Sequence, residues 1–128
     1  MPDFDPNLFI WISDTIFKDS KYNSEECTFR VIAGRIYYGL FLILREKLKQ
    51  QPYAFNFKGN SSDHGIIKQR LRAMGGDYVA IADSLDSLRR YRNNADYHLD
   101  VPFDNSGIKI IFAEKENVIL KAKSLRII

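Results

Sequence analysis

Phe29, Ile32, Ala33, Ile36, Leu40, Ile43, Leu44 and Leu48 recur in steps of three and four, and this run constrains the chain more than any other feature. Such spacing places every one of these side chains on one broad face of an α-helix. A stripe that wide needs several neighbours to cover it, so the segment reads as the central helix of a bundle. Its start is read at Asn23, with Glu26 three residues on, the spacing of a capping box. Gly34 and Gly39 lie inside it, and each weakens a helix by about 1 kcal/mol. Their presence on such a helix points to close helix–helix approach. Arg30 and Arg35 flank the stripe. They read as solvated or paired cations, with phosphate binding the less favoured alternative.

Four more segments carry helical signals. Asp5-Pro6 looks like a cap followed by proline at the first helical position. Leu8, Phe9, Ile12 and Ile16 then share one face, up to an end between Lys18 and Lys21. Residues 51–61 read as a loop, and a short helix from Ser62 turns Ile67, Leu71 and Met74 inward. His64, in its first turn, reads as a structural hydrogen-bonding residue. After the Gly75-Gly76 break, Asp77 reads as the N-cap of a helix with the stripe Tyr78, Ile81, Leu85, Leu88, Ala95 and Leu99, which Pro102 stops by about Val101. Asn105-Ser106 can cap a last helix carrying Ile108, Ile111, Phe112, Ile119, Ala122 and Leu125. Ile108–Phe112 also fits a short strand, but no partner strand is evident and helix is preferred. The expected fold is therefore an all-α, up-and-down bundle of four to five helices, one domain over residues 1–128.

Composition narrows the function classes. A net charge of +3 and a pI near 9.0 permit an anionic partner such as RNA without requiring one. Cys27 is the only cysteine, so no intrachain disulfide is possible. The acidic N-terminus lacks the basic start of a signal peptide. Ile36–Leu44, the most apolar stretch, is shorter than a bilayer span and runs into Arg45-Glu46-Lys47. A soluble, cytoplasmic protein without a membrane partner is expected. There is no phosphate-binding Gly-rich loop, dinucleotide fingerprint, Gly-x-Ser-x-Gly turn or zinc spacing. Carboxylates are scattered, and neither a metal nor another cofactor is expected.

The chemistry concentrates in Leu88-Arg89-Arg90-Tyr91-Arg92-Asn93-Asn94-Ala95-Asp96-Tyr97-His98. Arg92 falls on the line of the apolar stripe, where a charge is costly unless paired. Asp96 and Asn94 stand four residues from Arg92 and His98 respectively, so an intrahelical ion pair and a hydrogen bond would account for this stretch without any catalysis. Tyr91, Tyr97 and His98 would in that case cover the core.

Two landmarks resemble the HEPN superfamily, small helical domains of prokaryotic toxin–antitoxin and defence systems. Arg35-Ile36-Tyr37-Tyr38-Gly39-Leu40-Phe41 looks like the R-x-Y-Y-x-x-F segment of many such domains. Arg92-Asn93-Asn94-Ala95-Asp96-Tyr97-His98 is similar to their R-polar-x4-H motif and contains the Ala-Asp-Tyr often seen there. The resemblance covers most of the chain from about Asn23. It implies a metal-independent endoribonuclease acting as a homodimer, with the two motifs meeting across the interface. Arg92 and His98 would then be catalytic, with Asn93 the motif's polar residue. Some toxin members carry, two residues after the histidine, a tyrosine that a nucleotidyltransferase partner modifies. Asp100 stands there, which departs from that form of regulation. An antitoxin or nucleotidyltransferase partner is a further implication, and many relatives are silent binding modules.

The residues suit RNA cleavage. Attack of the 2′-hydroxyl on its phosphate needs a proton acceptor, which histidine supplies near neutral pH, and positive charge, which a guanidinium supplies through a two-pronged contact. Arg89 and Arg90 would hold the RNA backbone, and Tyr91 or Tyr97 would stack on a base. Arg92 and His98 are six residues apart, about 120° around one helix, so a single chain does not converge them and a symmetric dimer would. A small nucleotide is another candidate for the same basic cleft.

Overall fold

The stripe of residues 29–48 becomes the axis of an all-α bundle. In the computed structural model the helices are α1 (Asn7–Lys18), α2 (Glu26–Lys49), α3 (Asp63–Met74), α4 (Asp77–Tyr97) and α5 (Asn105–Ser124). The structure describes residues 4–19, 21, 24–50 and 56–128. Asn23 and residues 51–55 of the expected loop lie outside the described residues. Every member of the α2 stripe is buried, together with Tyr37 and Phe41. All four other helices pack on α2, and α4 also carries α3 and α5. Ile81, Leu85 and Leu88 of α4 meet Ile67 and Leu71 of α3 and Ile108 and Ile111 of α5 in the same core. Each such side chain, fully buried, contributes about 1.5–3 kcal/mol. Residues 108–112 are helical, as preferred from sequence.

At 24 residues, α2 is long and apolar enough to cross a membrane, although Ile36–Leu44 alone is too short. Its most apolar window is 61% buried beneath the other helices, so that apolarity serves the core of this bundle.

The helix ends differ from expectation in informative ways. Glu26 is the first residue of α2, not the third position of a capping box. Gly76 occupies the cap position of α4, with Asp77 the first helical residue. Gly75 and Gly76 both take positive φ, +74° and +56°, which glycine alone adopts freely. Asp104, one residue before the expected cap, accepts hydrogen bonds from the amides of Ser106 and Gly107 at 3.1 and 3.2 Å.

The inward face of α1 also departs from the sequence reading. Phe9 and Ile16 are half-buried as expected, but Leu8 and Ile12 stay 48% and 41% exposed, while Ser13 is buried. Gly39 decides this. A Cβ there would lie 2.9 Å from Ile10 Cδ1, 3.0 Å from Phe9 Cβ and 3.3 Å from the Pro6 carbonyl oxygen. α1 therefore docks at Gly39 through Pro6, Phe9 and Ile10. At Gly34 the nearest atom is Asp96 Oδ1 at 3.8 Å, an ordinary contact. Gly39→Val is expected to destabilise by about 1–3 kcal/mol through overpacking. Gly34→Ala should instead be neutral or stabilise by up to about 1 kcal/mol. Urea midpoints of the two variants check this; equal shifts would remove Gly39 as the docking point.

Candidate functional site

The second half of α4 carries the motif, and α4 ends earlier than expected. Its last residue is Tyr97, and His98 occupies the C-cap at φ −114° and ψ 74°. Leu99, expected on the buried stripe, is 76% exposed because the chain has already left the helix. Ala95 is the last buried member of the stripe.

Arg92 is half-buried. Its Nε lies 3.0 Å from Asp96 Oδ2, one NH group donates to Asn93 Oδ1 at 3.5 Å, and the guanidinium sits 5.6 Å from the centre of the Tyr97 ring. That pairing explains how a charge is tolerated on the line of the stripe. His98 is exposed, and its amide donates to the Asn94 carbonyl at 3.1 Å. Asn94 thus meets His98 through the backbone. Within one chain, Arg92 and His98 are not brought together. Arg89 and Arg90 are exposed, Asn93 is half-buried, and Tyr97 is 68% exposed. Tyr91 is half-buried with its ring edge-on to Phe103 at 6.3 Å, so it faces the 101–103 link instead of open surface.

The decisive residue is Arg30, read from sequence only as a solvated or paired cation; it is paired, and it reaches much further than its own helix. From α2 it donates to the carbonyls of Asn94, Ala95, His98 and Val101 at 3.2, 2.9, 3.4 and 2.6 Å. Its Nε pairs with Glu26 at 3.4 Å, and Glu26 in turn accepts the Phe103 amide at 3.1 Å. That amide, with Arg30, holds the Glu26 carboxyl below the ordinary carboxylate range. No local signal marks the four carbonyls, which lie more than sixty residues away in the chain.

Beside this clamp is a hollow of about 400 Å³ lined by Glu26, Cys27, Arg30, Val31, Arg35 and Asp96, with Leu99 at its side. It shares Val31 and Arg35 with an apolar cleft of about 330 Å³ along α1, where Leu8, Trp11 and Ile12 stand exposed. The two make one continuous face that ends at the motif. Cys27 lies exposed on it, although a lone cysteine in an apolar helix is more often a small buried residue.

His64 has a different role. It is 5% exposed; Nδ1 is 2.9 Å from the Tyr37 hydroxyl and Nε2 is 3.4 Å from Asp86, which also pairs with Lys68 at 3.3 Å. The neutral tautomer with the proton on Nε2 satisfies both partners, accepting from Tyr37 and donating to Asp86. Burial pushes the Tyr37 hydroxyl up to about 12, with Arg89 and Arg92 offsetting part of that rise. Burial also lowers the His64 pKa; Asp86 opposes this, while Arg89 and Lys68 add to it. The unfolded chain therefore takes up a proton on His64 at a higher pH than the folded one does. His64 contributes stability above about pH 6.5 that is lost as pH falls through that value toward its folded pKa. Urea midpoints measured from pH 7.5 to 5.5 should fall in the wild type and fall less in His64→Gln. Equal slopes would remove His64 as the cause.

Among the described residues, no group of three or more His, Cys, Asp or Glu side chains gathers as a metal would need. The chain is 32% identical to the uncharacterized protein MJ0628 of Methanocaldococcus jannaschii over 118 residues, 83% of this chain and 70% of that protein. It belongs to the MJ0628 family. The uncharacterized protein MJ0992 of the same organism is 30% identical over 103 residues, 70% of this chain and 57% of that protein. The chain therefore covers little more than half of MJ0992 and somewhat over two thirds of MJ0628. No family model and no solved structure matches the chain.

Proposed function

We propose that this member of the MJ0628 family is an endoribonuclease that works as a homodimer without a metal ion, as a toxin or defence component. The observation that carries the reading is the face, uncovered among the described residues, on which Trp11, Val31 and Leu99 stand exposed around charged side chains, and which meets the exposed end of α4 beside His98. A second copy seated on that face would bring a second Arg92 and His98 to the first, supplying the convergence that one chain lacks. One His98 then takes the proton of the 2′-hydroxyl as its oxygen bonds to phosphorus. The bond from phosphorus to the 5′-oxygen breaks, and the second His98 returns a proton to that oxygen. Arg92 stabilises the charge on the phosphate oxygens, and Asn93 orients the group beside it. Arg89 and Arg90 hold the backbone, and Tyr97 offers the stacking surface.

The Arg92–Asp96 pair at 3.0 Å favours a second reading, a silent module that binds a nucleotidyltransferase-type partner or a nucleotide. In that case the arginine is already neutralised within its own helix. Incubation with a structured RNA in EDTA, beside His98→Ala, separates the two. The expected result is cleavage by the wild type alone, leaving 2′,3′-cyclic phosphate ends. A folded protein that cleaves in neither form overturns the ribonuclease and leaves the binding module.

A further inference from the structure

We infer that Arg30 is a positioning residue for the end of α4, holding His98 through its backbone without touching its ring. The last carbonyls of any helix have no partners within it, and α4 has no glycine or asparagine at its C-cap to turn the chain back. Arg30 takes that place from outside. Its side chain is only 12% exposed, and its fork reaches carbonyls both inside the helix, at Asn94 and Ala95, and beyond it, at His98 and Val101. A guanidinium has five N–H donors in a rigid plane, whereas an ammonium is a single point. Glu26 anchors the fork at Nε and ties down the Phe103 amide with its other oxygen. The positive charge also sits where the helix dipole is negative.

Among the described residues, the His98 ring itself makes no hydrogen bond. The clamped backbone is therefore what fixes where the imidazole starts. The Val101 amide bonds to the His98 carbonyl at 3.2 Å, closing the turn on the side away from the helix.

That His98 acts on RNA rests on the ribonuclease reading; that Arg30 fixes its place does not. The test therefore has two arms, on Arg30→Met, Arg30→Lys and the control Arg72→Met, whose exposed pair with Asp83 lies elsewhere. In the first arm, amide exchange is followed at His98, Val101 and Phe103. In Arg30→Met these amides should exchange at least about 10-fold faster, while the core amides of α2 and α5 keep their protection. Arg30→Lys should fall between, and Arg72→Met should match the wild type. In the second arm, kcat for RNA cleavage should drop about 10- to 100-fold with KM little changed, as expected when a catalytic group is misplaced and not removed. Unchanged exchange at the three amides in a folded variant overturns the inference, as does acceleration spread equally over the whole bundle. If Arg30→Met does not fold, Arg30→Lys is judged by the same criteria. If the wild type cleaves no RNA, the ribonuclease reading falls, and the exchange arm still decides Arg30.

Discussion

Arg92→Ala is expected to abolish RNA cleavage while leaving the bundle folded. The stability side follows from exposure. The Arg92 and Asp96 side chains are 32% and 38% exposed, and an i,i+4 pair so placed contributes about 0.3–0.5 kcal/mol. The urea midpoint should therefore move little. The activity side follows from charge. A fixed donor aimed at a developing oxyanion contributes about 10²–10³ in rate, and a doubly bonded guanidinium should lie at the upper end. Arg92→Lys keeps the charge but not the fork, so it should recover only part of the loss. Asp96→Ala frees the guanidinium from its present partner and should leave cleavage intact or raise it. The silent-module reading expects otherwise: no cleavage to lose, and the same binding partner retained or lost with Arg92. Cleavage rates and urea midpoints on the three variants distinguish the two. An Arg92→Ala protein that unfolds would return Arg92 to a purely structural role.

The all-α bundle was legible because its signal is periodic. The residues of the α2 stripe lie at helical spacing in the chain and are buried together in the structure. What was not legible depends on contacts between distant segments. Leu8 and Ile12 have the right spacing for a buried face, but Gly39 on another helix decides which side of α1 docks. Leu99 continues the α4 stripe by count, yet Arg30 closes the helix before that residue is reached. Cys27 looks like core from its place in an apolar helix and instead faces the open side of α2. The candidate site was found as a string of residues, and its Arg92–Asp96 pair could be written down from spacing alone. The clamp that holds it could not: Glu26, four residues before Arg30, signals an ion pair, but the four carbonyls that Arg30 reaches lie more than sixty residues away. Tyr37 and His64 likewise sit 27 residues apart and meet only through the packing of α3 beside α2.

Asp63→Ala should be the most destabilising of the substitutions considered, by about 2–4 kcal/mol, because it takes the buried acceptor from three donors at once. Asp63 opens α3 and is wholly buried. Its Oδ1 accepts the Lys58 amide at 2.7 Å, and its Oδ2 accepts the Gly59 amide at 2.9 Å and an Arg45 NH group at 3.3 Å. Burial raises its pKa, but the two amides and Arg45 outweigh that and hold the carboxyl below its ordinary range. The stability it contributes is present above the unfolded carboxylate pKa and is lost as pH falls through the folded one. Alanine removes all three acceptor contacts at once and detaches the described part of the 56–62 link from α3. Asparagine keeps the shape but has a single acceptor oxygen, so one amide would face an NH2 group; it should recover only part of the loss. Asp63 bonds to Lys58, Gly59 and Arg45 and to none of Arg92, Asn93 or His98, so cleavage per folded molecule should stay at the wild-type level in both variants. Urea unfolding gives the first quantity and activity normalised to folded protein the second. A loss under about 1 kcal/mol would mean that water replaces the carboxylate at these donors, and the buried anchor would have to be sought elsewhere.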